Sequence, residues 1–246
     1  MSKEHNIKAI IVAGGRGERL RPLTDSVPKP MIEVNGKPIL EHTLDLLKNQ
    51  GITDYIFALC YLPEVITGYF GNGSKWGVNI AYTFEDPATP LGTAGAIVPA
   101  REYIDGTFIV TYADILRDLE VRRMINQHLE KRSLATLNVY QHKGVNFKSS
   151  IEFGDDSKLL KFTELPQSIV LEKGSVWSNG SFYIFEPGIF DFIPENEKVD
   201  FSRDVFPQLI SSGKPIHVYP SAGYFIDIGT PENLQIAQNH LGSLLE

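Results

Sequence analysis

The chain has 246 residues, of which 42% are hydrophobic, 11% aromatic and 22% charged, an ordinary globular composition with ample apolar material for a large core. A net charge of −7 gives no global field to draw the chain onto nucleic acid or an anionic membrane, so neither is an expected partner. Cys60 is the only cysteine, no apolar run approaches the roughly 18 residues of a membrane helix, and the opening MSKEHNIKAIIVAGG has no secretory cleavage pattern, so a soluble cytoplasmic domain is expected.

In chain order, the continuous apolar run Ile7 to Ala13 broken by Gly14-Gly15 reads as a buried parallel strand. Residues 39 to 50 place Ile39, Leu40, Leu44 and Leu47 on one helical stripe, with Gly51 as the stop. Tyr55 to Cys60 reads as a strand, Glu64 to Phe70 as a short helix, Val78 to Thr83 as a strand and Thr93 to Tyr103 as an alanine-rich helix. Thr107 to Tyr112 is a strand ending near Asp114, and Leu119 to Lys131 is a helix with Val121, Ile125 and Leu129 on one face. From Leu134 to Phe185 the pattern is strand and turn, with residues 154 to 156 (Gly-Asp-Asp) suited to a hairpin. Ser202 to Ser211 reads as helix, Pro215 to Tyr219 and Tyr224 to Ile228 as strands, and Thr230 caps a last helix with Pro231 at its first position. The fold expected is a single domain over 1–246: a doubly wound α/β sheet with a mixed β insertion.

The first 40 residues hold seven basic against four acidic side chains, so all of the net negative charge lies in the remainder. A basic, glycine-rich opening on an acidic body suits an anionic small ligand. Glycines in Gly14-Gly15-Arg16-Gly17 let backbone N–H groups approach an oxyanion beyond the carboxyl end of the strand. Neither a P-loop nor a dinucleotide fingerprint is present: no Gly-Lys-Ser/Thr follows, and Leu20 stands where a third glycine belongs. A glycine turn with solvated arginines is the plain alternative. The six histidines have no zinc-site spacing, His42 lies on an apolar helix face as a packed residue, and Cys60 and Trp177 read as core.

The stretch VAGGRGERLRPLTDSVPKPMIEVNGKPILEH, residues 12 to 42, resembles the opening of the sugar-1-phosphate nucleotidyltransferases. The likeness continues through PLGTAGA (90 to 96), Asp114, NGSFYIFEP (179 to 187) and DIGTPE (227 to 232). The resemblance implies a Rossmann-like α/β fold with a nucleotide-binding part at about 7–133 and a β-rich sugar-binding insertion at about 134–230. It implies attack by a sugar phosphate oxygen on the α-phosphate of a nucleoside triphosphate, with pyrophosphate released. Arg19 and Lys29 are then the catalytic cations, and Asp114 and Asp227 hold Mg²⁺. Val12, Ala13, Gly14, Gly15, Arg16, Gly17, Gly92 and Thr93, with Glu85 toward the base, are the implied nucleotide contacts. Glu164, Asn179 and Gly180 correspond to positions that hold sugar hydroxyls. The motifs are most similar to guanylyl-transferring members, which implies GTP with a mannose- or manno-heptose-type 1-phosphate, and a homo-oligomer. The chain ends soon after DIGTPE, so a form without the C-terminal β-helix of many relatives is expected.

Three departures bear on the sugar side. Leu165 stands where relatives carry a phosphate-binding lysine, Ser181 where many have glycine, and Lys148-Ser149-Ser150 where they usually have tyrosine-glycine-valine. Beside the metal position, Ala113 precedes Asp114 in place of glycine. Lys148, Lys161 and Lys173 are the candidates for the missing charge. Two alternatives remain beside the enzyme: a silent nucleotide-sugar-binding regulator, and a transferase for a phosphorylated acceptor that is not a sugar.

Overall fold

The computed structural model describes residues 7–243, without the side chains of 142–148, 165–174, 242 and 243. In chain order the elements are β1 (Lys8–Ala13), β2 (Glu33–Val34), β3 (Lys37–Pro38), α1 (Ile39–Lys48), β4 (Asp54–Leu59), α2 (Pro63–Phe70) and β5 (Asn79–Phe84). Then follow α3 (Gly92–Gly95), β6 (Phe108–Tyr112), β7 (Ile115–Arg117), α4 (Val121–Glu130), β8 (Ala135–Phe153), β9 (Leu159–Phe185), α5 (Phe206–Ser211), β10 (Ile216–Ser221), β11 (Phe225–Asp227) and α6 (Pro231–Ser243). This is the expected mixed α/β fold. The chain forms two compact units, the first of residues 8–90, 112–119 and 223–243, the second of 91–111 and 120–222.

In the first unit β1, β4 and β5 run parallel, with Ala13 opposite Leu59 and Leu59 opposite Phe84. The two inner strands bury their apolar residues, as coverage on both faces requires, with Ile10, Ile11 and Phe57 fully buried, whereas β5 ends on an exposed Phe84. α1 ends as its sequence predicts, with Gly51 at φ +79 and Ile52 N–H donating back to the Leu47 carbonyl. α6 starts on Thr230, whose hydroxyl accepts from Asn233 N–H. Two short antiparallel pairs, β2–β3 and β7–β11, complete the unit: β11 lies within the strand expected over Tyr224 to Ile228, whereas β2, β3 and β7 have too few residues to show a period in the sequence. A cluster of Leu20, Ile32, Val34, Leu116, Ile228 and Leu234 packs β7 and the 228 turn against the segment after the glycine loop.

The second unit contains β10 parallel to β8, β8 antiparallel to β9, and β9 antiparallel to β6. The expected hairpin is present: Gly154 N–H donates to Lys158 and Phe153 faces Leu159. Tyr183, Phe185, Phe201 and Phe206 form one aromatic core with ring centroids 5.2 to 5.7 Å apart. Each fully buried ring contributes about 1.5–3 kcal/mol. Two expected helices differ. Residues 93 to 103 form only the four-residue α3 and a 3-10 turn at Val98–Tyr103, because Gly92, Gly95 and Pro99 interrupt helical bonding. The 202–211 helix opens with a π-helical turn, Phe201–Val205, before α5.

Candidate active site

In the first unit the carboxyl ends of β1, β4 and β5 lie side by side, so the loops after Ala13, Leu59 and Phe84 share one edge. Val12 is half-buried and Ala13 buried in the strand. Gly14 is glycine because β4 passes close: a Cβ there would lie 3.0 Å from the Cys60 Cβ. Gly15 faces open space, and Arg16 donates to the Pro87 carbonyl at 3.0 Å. Burial pushes the Cys60 thiol up, Glu85 adds to the rise and Arg16 opposes it, so the sulfur is an inert, packed thiol. Glu85 therefore belongs to this same edge.

Gly17 turns the loop at φ +65, and its missing Cβ makes room for Lys29: an added methyl would lie 3.0 Å from the Lys29 Cβ and 2.9 Å from Thr24. Thr24 fixes that turn by donating its hydroxyl to the Gly17 carbonyl at 2.9 Å. Lys29 sits between Pro28 and Pro30 at the start of a 3-10 turn, its side chain 9% exposed. Its ammonium donates to Asp114 Oδ2 at 2.6 Å and lies 3.7 Å from Asp227 Oδ1. Asp114 is fixed from both sides, because Ala113 N–H donates to the Val12 carbonyl and Ile228 N–H to the Asp114 carbonyl. Asp227 ends β11 opposite Ile115, and Asn233 Nδ2 donates to its carbonyl at 2.7 Å. Gly229 completes the centre: a Cβ there would lie 2.7 Å from Arg19 Nη2 and 3.1 Å from Asp227 Oδ1. Four segments thus bring Arg19, Lys29, Asp114 and Asp227 together.

The donor set fits Mg²⁺. Two carboxylates, hard oxygen donors, already converge on one cation, the Lys29 ammonium. Among the described residues no group of three or more His, Cys, Asp or Glu could hold a metal. A two-carboxylate site suits an ion that keeps waters and shares substrate phosphate oxygens.

In the second unit the predicted residues have packing duties of their own. Gly92 has φ +78, and a Cβ would lie 2.5 Å from the Val199 carbonyl oxygen. The Thr93 hydroxyl donates to Asp200 Oδ2 at 2.7 Å and accepts from Phe201 N–H at 3.0 Å. The PLGTAGA turn is thereby tied to the π-helical turn, whose cap is Asp200. Gly180 lets β9 meet Asn138, where a Cβ would lie 2.2 Å from Oδ1. Asn179 uses both ends of its amide internally, donating to the Tyr183 hydroxyl and accepting from Ser181 N–H. Glu164 is partly exposed and accepts from Arg203 at 3.3 Å. Sequence reasoning missed Arg203 and Asp200. Their signal is an Asp N-cap followed by a base in DFSRD, which helix periodicity alone does not separate from an ordinary helix start.

Of the three lysines considered for the missing charge, Lys161 pairs with Glu152 at 3.3 Å across the hairpin, both side chains 63% exposed. The side chains of Lys148, Leu165 and Lys173 lie outside the described part of the structure. His42 donates from Nε2 to the Val34 carbonyl, and Trp177 packs edge-on to Phe153, both structural as expected. No helix among the described residues is long and apolar enough to cross a membrane.

Residues 8–243 match the family model described as Nucleotidyl transferase. The chain belongs to this family. It is 35% identical over 235 residues to a UTP–glucose-1-phosphate uridylyltransferase of Synechocystis, covering 91% of this chain and 60% of that protein. It is 32% identical to a D-glycero-alpha-D-manno-heptose 1-phosphate guanylyltransferase of Aneurinibacillus thermoaerophilus, covering 96% of this chain and 98% of that protein. The crystal structure of HddC from Yersinia pseudotuberculosis complexed with GMP-PN is similar at a TM-score of 0.80 and 26% identity, covering 96% and 99% of the two chains. The chain therefore spans about three fifths of the length of the longer relative and nearly all of the shorter one.

Proposed function

We propose that this protein transfers a nucleotidyl group from a nucleoside triphosphate to a sugar 1-phosphate in a Mg²⁺-dependent reaction. The convergence of Arg19, Lys29, Asp114 and Asp227 at one point of the first unit carries the reading. An oxygen of the sugar phosphate attacks the α-phosphorus, that P–O bond forms, and the bond to the departing pyrophosphate breaks. Charge accumulates on the phosphate oxygens, which Arg19 and Lys29 neutralise. Mg²⁺ held by Asp114 and Asp227 supplies further charge neutralisation at phosphate oxygens. The loop from Val12 to Gly17 meets the nucleotide with backbone N–H groups, Arg16 adds charge, and Glu85, Gly92 and Thr93 complete the nucleotide contacts. Glu164, Asn179 and Gly180 serve the sugar, in the β-rich 134–230 part, and the nucleotide falls to the 7–133 part.

GTP with a mannose- or manno-heptose 1-phosphate is the substrate pair we favour, supported by the PLGTAGA motif and by the full-length likeness to a manno-heptose 1-phosphate guanylyltransferase. The soluble, cytoplasmic setting and a homo-oligomer belong to the same reading. The test is pyrophosphate release with Mg²⁺ across GTP, CTP, UTP, ATP and dTTP, each with a panel of sugar 1-phosphates. Release with GTP and a manno-sugar is expected, and silence with every pair would overturn the enzyme reading.

A further inference from the structure

We propose that the Lys29 ammonium is a built-in stand-in for the metal: it neutralises the Asp114–Asp227 pair in the free protein, and a divalent cation loads only as Lys29 gives up those carboxylates. The inference rests on the reading of Asp114 and Asp227 as metal ligands. One positive charge sits 2.6 Å from one carboxylate and 3.7 Å from the other. A divalent cation needs the same oxygen lone pairs and repels the ammonium, so the two cannot share the pair at full strength. The two carboxylates are 32% and 30% exposed while the lysine side chain is 9% exposed, so an incoming ion reaches the oxygens from solvent without opening the fold.

The lysine backbone cannot move aside. It is flanked by Pro28 and Pro30, Met31 N–H donates to the Pro28 carbonyl at 2.7 Å, and the side-chain stem lies against Gly17. Only the outer torsions of Lys29 are free to carry the ammonium away. The freed charge is then available to an anionic substrate. Linkage makes this reciprocal: an anion that takes Lys29 raises metal affinity by the factor with which the metal raises anion affinity. Metal and triphosphate are coupled through this side chain as well as through their direct contact.

The test is Mn²⁺ titration of the full chain without nucleotide, followed by electron paramagnetic resonance of the free ion, on wild type and Lys29→Met. A charge-assisted hydrogen bond is worth about 1.5–3 kcal/mol, so removing the competitor should tighten Mn²⁺ binding about tenfold to a hundredfold. Lys29→Gln, which keeps a polar stem without charge, should also bind Mn²⁺ more tightly, and circular dichroism establishes that each variant is folded. Asp227→Asn should weaken binding in either background. Equal or weaker Mn²⁺ binding by the folded Lys29 variants overturns the proposal, as does Mn²⁺ binding to none of the proteins. Pyrophosphate release separates the two readings: an active wild type whose variants gain no Mn²⁺ affinity refutes the stand-in alone. Silent wild type with tighter-binding variants refutes the catalytic assignment alone.

Discussion

Gly229→Ala separates the position of Arg19 from the stability of the fold. Gly229 is not in the left-handed region, so alanine is conformationally acceptable there. Its Cβ, however, would lie 2.7 Å from Arg19 Nη2, against an ordinary contact of 3.4 Å or more, so the guanidinium must recede by about 0.7 Å. The Asp227 oxygen at 3.1 Å must give by a few tenths of an ångström. Arg19 is exposed, so its end moves into water at small cost, and the lost glycine freedom in the unfolded chain offsets about 0.4–1 kcal/mol. We therefore expect stability within about 1 kcal/mol of wild type in urea unfolding. Displacing a charge-stabilising group by about 1 Å costs up to about 10²-fold, and kcat/KM for pyrophosphate release should fall by roughly that order. Unchanged stability with kcat/KM within about twofold of wild type would show that Arg19 does not act from this position. A loss above about 3 kcal/mol would show that the methyl is not absorbed by the arginine.

Three further outcomes follow from other contacts. Gly92→Ala meets backbone on the Val199 side with φ at +78, so nothing flexible can yield, and urea unfolding should register a loss of at least about 3 kcal/mol. Thr43 in α1 has a buried hydroxyl without a hydrogen-bond partner beside a cavity of about 210 Å³. Thr43→Val should raise stability by about 1 kcal/mol and Tm by about 2–4 °C in calorimetry, and a lower Tm would contradict the unsatisfied hydroxyl. His217, bonded to Ser133 Oγ, is held below the usual imidazole value by burial first and then by Lys131. The unfolded chain therefore binds more protons below about pH 6.5, so this residue's contribution is present above that pH and is lost as pH falls through its folded value. Melting His217→Gln and wild type from pH 5 to 8 should give a shallower acid decline in the variant, and parallel curves would contradict the assignment.

The parts of the site that the sequence shows are those made within a few residues of one another. The strand breaking at Gly14, the stiffened Pro28-Lys29-Pro30 turn and the Thr230-Pro231 helix start all use local conformational chemistry, and each stands where its residues predict. Contacts across long separations were hidden. Thr93 meets Asp200 across 107 positions, and nothing in PLGTAGA announces a partner in the π-helical turn. Gly180 reads as a ligand-facing glycine, yet Asn138 fills the space its side chain would take. β11, which ends at Asp227, is legible in the apolar run Tyr224 to Ile228. Its three-residue partner β7, which follows Asp114, carries no period to read, so the pairing that brings the two aspartates together was hidden.

The charge asymmetry of the chain also changes meaning once contacts are known. Seven bases in the first 40 residues suggest a surplus waiting for an anion, but several are already engaged. Lys37 is held up by its hydrogen bond to Asp45, with Glu41 adding to the pull, and Lys29 is shared between Asp114 and Asp227. Arg16 and Arg19, both exposed on the glycine loop and the turn after it, are the bases that meet an incoming anion first. Anion binding in the absence of metal should accordingly depend on these two arginines and little on Lys29, whereas with metal bound Lys29 joins them. An Arg16→Ala,Arg19→Ala double variant should lose most metal-free pyrophosphate binding in calorimetry, while Lys29→Met should lose little. The reverse order would place the free cation at Lys29 and refute the ion-pair assignment on which the metal coupling depends.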